Sequence, residues 1–291
     1  MLNKRQNGTA YLLLLPLIIL FGLFTVYPFF YGIFISLNQW DGYGDKKFIG
    51  FGNYIRALTD KTLYAAVFHN VQYALGTVTG KLILSFCLAL LMQKSTKGVT
   101  FFRAVFFVPV VLSATTVGVI WARIYDPVLG LLNTFLIKSH FVSEPIPWLS
   151  EPKLAIWSLV IVDLWKWIGY HTVIFLAGLT TIPEELYESA SIDGANYIQR
   201  LFFITIPQIR GVILMNLTIA LMGAFSVFDL VYIMTKGGPY KSTEVILTFM
   251  YNQTFAGGNT NYGYGSTIAV LLFLIILCIT ILMNRFINKE T

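Results

Sequence analysis

Charge is scarce in this chain. Asp, Glu, Lys and Arg make up 12% of its 291 residues, against 56% hydrophobic, where a soluble domain carries about a quarter charged residues. That balance excludes an ordinary water-facing fold and points to a membrane protein. Cysteine is nearly missing. Cys87 and Cys278 both fall in apolar stretches, at a spacing that suits neither a disulfide framework nor a metal site. They read as packing residues. The three histidines, His69, His140 and His171, are scattered. There is no His-Glu-x-x-His and no Gly-x-Ser-x-Gly, so the sequence supports no hydrolytic or redox centre. The net charge of +6 is modest and spread out, with no basic run to follow a nucleic-acid backbone.

Long uncharged runs take the place of what is missing. A spanning helix needs about 20 mainly apolar residues. Six segments qualify: roughly 10–37, 66–93, 102–123, 154–180, 208–235 and 264–286. The expected fold is all-α, a single six-span domain over 10–286 between short tails 1–9 and 287–291. Lys4 and Arg5 precede an uncharged stretch from Gln6 to Trp40. It is too long for a signal peptide's apolar core and shows no small-residue cleavage site, so it reads as a retained first span.

An even number of spans puts both termini on one side. Lys4, Arg5, Lys94, Lys97, Arg103, Arg285 and Lys289 crowd the short segments of that side, which makes it cytoplasmic. The opposite side holds as many basic residues, but in longer loops, so density decides. Those outer loops, about 38–65, 124–153 and 236–263, carry the turn signals Asp41-Gly42, Gly237-Gly238-Pro239 and Gly257-Gly258-Asn259.

The segment 181–207 then faces the cytoplasm. Thr181 reads as a helix cap, with Pro183 in the first turn and Glu184 closing a capping box. Glu185 adds a second negative charge at the positive helix end. The helix should stop near Asp193-Gly194, since glycine ends a helix cheaply, with Asp193 offered as a cap to the next helical piece. That second, amphipathic piece runs from Ala195 to Ile204, ahead of Pro207. Ser189, Ala190, Ser191, Gly194 and Ala195 are small and let another surface come close. Glu184, Glu185, Glu188 and Asp193 make the segment a poor ligand for an anionic leaflet. A cytoplasmic protein partner is the better reading.

Charges inside spans are costly and mark functional candidates. Here they are Lys81, Asp163, Lys166 and Asp229. Asp163 and Lys166, three residues apart, can pair on one helix face. Two readings stay open for them: a neutral pair facing another subunit, or a polar wall of a transport path. Lys81 reads as a tie to a neighbouring carboxylate or carbonyl. Trp165, Trp167, Tyr170, His171 and Thr172 cluster around Gly169 on the fourth span. Aromatic faces with hydroxyl and imidazole groups suit sugar rings; an interfacial aromatic belt explains only some of them. Gly76 to Lys81 imitates a nucleotide-binding loop but is one residue short and lies within a span. As Gly76-xxx-Gly80 it fits close helix packing.

The 181–207 segment resembles the EAA loop of ABC-importer permeases, of the form Glu-Ala-Ala, Asp-Gly-Ala, Ile-x-Leu-Pro. Glu188, Ala190, Asp193, Gly194, Ala195, Ile204 and Pro207 match; Ser189 replaces the first Ala, and Ile206 replaces Leu. "FIGFGNYIRAL" (48–58), "FFRAVFFVPVVLS" (101–113), "WKWIGYHTVIFLAGLTTIPEELYE" (165–188) and "YIMTKGGPYKSTEVILTFMYNQTF" (232–255) resemble the carbohydrate-uptake branch, which includes the maltose and glycerol-phosphate permeases. The extra N-terminal spans and large periplasmic insert of the maltose homologue are missing here, as in most of that branch.

The resemblance implies a transport subunit rather than an enzyme, in a bacterial or archaeal cell membrane. It implies a second six-span permease, two ABC ATPase subunits that take ATP and Mg, an extracytoplasmic sugar-binding protein and a carbohydrate cargo, with no cofactor on this chain. Glu188, Ser189, Ala190, Asp193, Gly194, Ala195 and Pro207 become ATPase-coupling residues. Sugar contacts carry over near Val110, Ala114, Ile168, Gly169, Thr172, Gly223, Ala224 and Val227, several of them apolar where that homologue is polar. The expected substrate path is Ser113, Trp165, Trp167, Gly169, His171, Thr172, Ser226 and Asp229. The rivals are an ion-coupled secondary transporter using Asp163 and Asp229, without the inverted repeat or paired broken helices such folds show, and an intramembrane enzyme, which lacks a nucleophile–base constellation.

Overall fold

A computed structural model describes residues 4–93, 98–256 and 260–288 of the chain, with side chains from Leu13 to Phe286 within those segments. Lys94, Lys97, Gly257-Gly258-Asn259 and Lys289, which bear on topology and turns, lie outside the described residues, as do the side chains of Lys4 and Arg5. The chain forms two compact units, residues 1–61 with 250–273, and residues 62–249 with 274–291.

The first unit opens on α1 (Lys4–Phe21), which passes through a π-helical turn, Gly22–Val26, into α2 (Tyr27–Ser36). The stretch Leu13–Ser36 is apolar and almost wholly outward-facing. A helix greasy on every side suits lipid. Then comes the one departure from an all-α fold among the described residues. It is a two-residue hairpin, β1 (Asn38–Gln39) and β2 (Lys47–Phe48), antiparallel with Asn38 opposite Phe48. The short α3 (Gly52–Ala57) comes next. Buried Asn53 on α3 donates to the Ser36 and Asn38 carbonyls, both at 2.9 Å, and so ties the end of α2 to α3. The unit also holds the start of α15 (Tyr262–Asn288). There Tyr264 donates to Asp60 at 2.7 Å under the Arg56 guanidinium, which lies 4.0 Å from its ring centroid.

Two long helices organise the second unit. These are α4 (Lys61–Gln93) and α8 (Pro152–Leu179), each long enough to cross a bilayer. Gly76 and Gly80 put a bare face of α4 against α8. A Cβ on Gly80 would sit 2.7 Å from Leu164, and one on Gly76 3.0 Å from Trp157 and Val160. The close packing expected of this pair is therefore realised. Tyr73, Val117, Leu159, Val162, Ala224 and Val231 form the core around it.

The third and fifth segments are not continuous helices. The third is α5 (Val99–Val111) and α6 (Ala114–Ile124), bent by 99° at Leu112–Ser113. Pro109 removes a backbone donor one turn before the bend. Ser113 then caps α6, its hydroxyl accepting from the Thr116 amide at 3.1 Å. Beyond the polar excursion that carries α7 (Leu131–Lys138), and beyond α8, the chain forms α9 (Glu184–Ile192), α10 (Tyr197–Arg200), a π-helical turn at Leu201–Thr205 and α11 (Ile206–Gln208). The fifth segment is α12 (Arg210–Phe225), broken at 226–228, then α13 (Asp229–Met234). The short α14 (Ile246–Tyr251) precedes α15. Four long helices and two bent pairs, α5 with α6 and Tyr197–Gln208 with α12 at 70°, give an all-α architecture with four to six candidate spans. The expectation of unbroken spans 3 and 5 is corrected: Pro109 and the 226–228 break interrupt them where hydropathy continues.

The turn after α6 is held by charge. Asp126 accepts from the amides of Val128 at 2.9 Å and Leu129 at 2.8 Å. Those backbone donors keep its carboxyl below the usual carboxylate range. A depressed folded value means the turn's support is present at neutral pH and is lost as pH falls through that lowered value. Hydrogen exchange of the 128 and 129 amides, corrected for intrinsic rates, should lose protection on acidification, and Asp126→Ala should abolish this dependence.

Candidate functional site

Two features stand out, a cavity walled by broken helices and the exposed 181–207 hairpin. Both lie in the second unit.

The cavity measures about 560 Å³. One face of α8 supplies Asp163, Lys166, Trp167, Tyr170 and His171, at steps of three and four residues that align them on one side of a helix. Lys81 comes from α4, Ile219 and Gly223 from α12, Ser226 to Phe228 from the break, Asp229 from α13, and Ala114 from α6.

Charge on the wall is handled pairwise. Lys81 Nζ lies 2.5 Å from Asp163 Oδ2, both side chains nearly buried. The tie expected of Lys81 to a carboxylate is realised, and Asp163 does not pair with Lys166. Lys166 reaches the end of α5 instead, donating to the carbonyls of Leu112 at 2.5 Å, Val110 at 3.4 Å and Pro109 at 3.5 Å. The last carbonyls of a helix lack internal partners and carry its partial negative charge. A buried ammonium answers both needs. His171 and Asn216 link α8 to α12, with His171 Nδ1 2.5 Å from Asn216 Oδ1 and the Asn216 amide donating to the His171 carbonyl at 3.2 Å.

Of the eight residues expected on the path, Trp167, His171, Ser226 and Asp229 share this cavity. The other four are elsewhere. Ser113 uses its hydroxyl as the α6 cap. Trp165 is exposed on another face of α8, edge-on to Trp121 at 5.5 Å. Gly169 sits where α8 crosses α5, its Cα side against the Phe106 carbonyl. Thr172 returns its hydroxyl to the Ile168 carbonyl at 2.7 Å. The three- and four-residue steps from Asp163 carry the signal that separates the two groups. Clustering by sequence proximity mixed two faces of one helix.

The hairpin is rooted in the core and exposed at its tip. Ile182 and Ile209 flank it and are buried with Leu179 and Phe175. Glu188, Ser189, Asp193, Gly194 and Pro207 are exposed. Ala190, Asp193, Gly194 and Ala195 line one side of a cleft of about 350 Å³, with Gln199, Arg200, Phe203 and Ile204 opposite. Thr181 does not cap α9. Its hydroxyl donates to the Gly178 carbonyl at 2.8 Å, and Pro183 holds the cap position. Nor does Asp193 cap α10. Asn196 does, in a reciprocal capping box with Gln199. Asp193 instead closes α9 as its C-cap, ahead of Gly194 at φ +79°. The Gly194 amide donates to Ser191 at 3.2 Å and the Ala195 amide to Ala190 at 2.8 Å, the two bonds of a Schellman ending. Tyr187 and Thr205 hydroxyls meet at 3.0 Å, and Arg200 donates to Ser191 at 2.8 Å, clamping the two arms together.

Among the described residues, no group of three or more His, Cys, Asp and Glu is placed to hold a metal ion. The profile of one protein family, described as a binding-protein-dependent transport system inner membrane component, matches residues 82–290. The chain is 36% identical over 279 residues to the probable ABC transporter permease protein YurN of Bacillus subtilis (strain 168), covering 95% of this chain and 94% of that one. It is 34% identical over 285 residues to the trehalose/maltose transport system permease protein MalF of Thermococcus litoralis, covering 96% and 94%. In fold it is similar to a chain of a bacterial ABC transporter involved in import of the acidic polysaccharide alginate, with TM-score 0.85 and 22% identity over 99% of this chain and 97% of the other.

Proposed function

The chain belongs to the family of inner membrane components of binding-protein-dependent transport systems, and we propose that it is the sugar-translocating permease subunit of an ATP-driven importer. Its partners are a second six-span permease, two ATPase subunits that bind ATP and Mg, and an extracytoplasmic sugar-binding protein. Both termini and the 181–207 hairpin face the cytoplasm of a bacterial or archaeal cell. The observation that carries this reading is the hairpin itself. Its tip is acidic, small and exposed, and its base is anchored between α8 and α12, the helices that line the cavity.

The mechanism stems from that anchorage. A partner that moves the tip moves Ile182 and Ile209 with it, and through them α8 and α12. Those helices supply Trp167, Tyr170, His171 and Gly223 to the cavity wall. Glu188, Ser189, Ala190, Asp193, Gly194, Ala195 and Pro207 form the coupling surface. Trp167, His171, Ser226 and Asp229 are the path residues the cavity retains.

The test is a gentle affinity purification of this chain from native membranes, with mass spectrometry of every protein that accompanies it. A P-loop ATPase with a second six-span protein is the expected result. The breaks in the third and fifth segments favour one rival, the secondary transporter, whose sites form at broken helices. Recovery of the chain alone, with uptake that survives ATP depletion but collapses with the ion gradient, would establish that rival. One substitution probes the coupling turn. No atom lies within 4 Å of a Cβ on Gly194, so its φ of +79° alone opposes a side chain. Gly194→Val should uncouple ATP hydrolysis from uptake, while Gly194→Asn, tolerant of that conformation, should keep most of it. Equal uptake by both variants would discount the turn.

A further inference from the structure

Four charged side chains line the cavity: Lys81, Asp163, Lys166 and Asp229. Three are engaged by the protein. Lys81 and Asp163 neutralise each other, and Lys166 is bonded to the carbonyl end of α5. Asp229 differs. It is exposed, and it makes no hydrogen bond or ion pair among the described residues. The unengaged charge that this chain shows to the cavity is therefore a carboxylate. Trp167, Tyr170 and Phe228 line the same space. Aromatic faces receive the CH surface of a sugar ring, and a free carboxylate accepts two of its hydroxyls.

We propose that Asp229 is a specificity-determining residue, selecting uncharged sugars over sugars that carry carboxylates. The proposal rests on the permease reading above and narrows its substrate class. A hydroxyl donor gains a charge-assisted hydrogen bond from Asp229. A uronate brings a like charge next to the Asp229 carboxylate, the repulsive element by which sites reject a near-isostere. The fold itself does not settle the choice, since a structural neighbour is named for import of an acidic polysaccharide. A second role for Asp229 is available in the same geometry. It lies in the first turn of α13, where a negative charge steadies a helix. A charge with that role alone would affect every ligand alike.

The experiment uses the assembled complex of permeases and ATPases in lipid nanodiscs, without the external binding protein. Maltotriose, xylotriose and trigalacturonate are titrated by calorimetry against wild type and Asp229→Asn. At least one neutral trisaccharide should bind about tenfold or more tighter than trigalacturonate. Asp229→Asn should close most of that gap by strengthening trigalacturonate binding, and added salt should narrow it in wild type. Equal or tighter trigalacturonate binding by wild type overturns the proposal. So does an unchanged ratio in Asp229→Asn, or a uniform loss for all three sugars. If no sugar binds to a complex that hydrolyses ATP, the sugar reading falls with it. Sugar binding without charge preference overturns the charge rule alone.

Discussion

Lys81→Met should destabilise the protein by about 3–5 kcal/mol, because it leaves the Asp163 carboxylate buried without its partner. Lys81 and Asp163 are 3% and 6% exposed, and they meet at 2.5 Å across the α4–α8 contact. Gly76 and Gly80 bring the helix backbones close on the same face, which limits how far either side chain can swing from the other. The buried Tyr73 hydroxyl also faces Asp163, so loss of the ammonium strips the carboxylate of its ion-pair partner, while Lys166 on the same wall is committed to the α5 carbonyls. The double variant Lys81→Met/Asp163→Leu should recover most of the loss, because two apolar side chains of similar size need no partner. Thermal unfolding of the purified variants in mild detergent measures both. A double variant as unstable as the single one would show that the pair serves for more than mutual neutralisation.

Gly169→Val should cost about 3 kcal/mol or more, at the upper end of overpacking effects. A Cβ at 169 would run into the Phe106 carbonyl. That obstacle is backbone, which has no rotamer to yield. The crossing of α8 on α5 would have to open, and Lys166, one turn away, would lose its hold on Leu112. Gly223 supplies the control. It faces the cavity with no atom within 4 Å of a Cβ, so Gly223→Ala should leave thermal stability within about 0.5 kcal/mol of wild type. Equal behaviour of the two variants would count against the packing argument.

The six segments were legible because hydropathy needs no tertiary information. So was the Gly76-xxx-Gly80 face, whose small residues announce close approach. The breaks in the third and fifth segments were not, because Leu112, Val227 and Phe228 are as apolar as the helices they interrupt. Pro109 weakens α5 one turn earlier, but the group that takes up the freed Leu112 carbonyl is Lys166, over fifty residues away in the chain. The pairing of charges was half legible. Asp163 and Lys166 are three apart and free to meet by local geometry, but each found a stronger partner on another helix, Asp163 in Lys81 and Lys166 in the α5 carbonyls. The caps follow the same logic. Thr181 and Asp193 carry suitable oxygens, yet Thr181 bonds back to Gly178, and Asn196 with Gln199 supplies the box that α10 uses. Gly194 is legible as a helix stop, because its requirement is a backbone angle that glycine meets.

The weld between α4 and α8 has a kinematic consequence. Glycine on one helix and a buried ion pair across the contact leave no low-energy sliding coordinate, since a shift of one turn would strand both charges against hydrocarbon. The two helices behave as one strut, so a push that reaches α8 from the hairpin carries α4 with it.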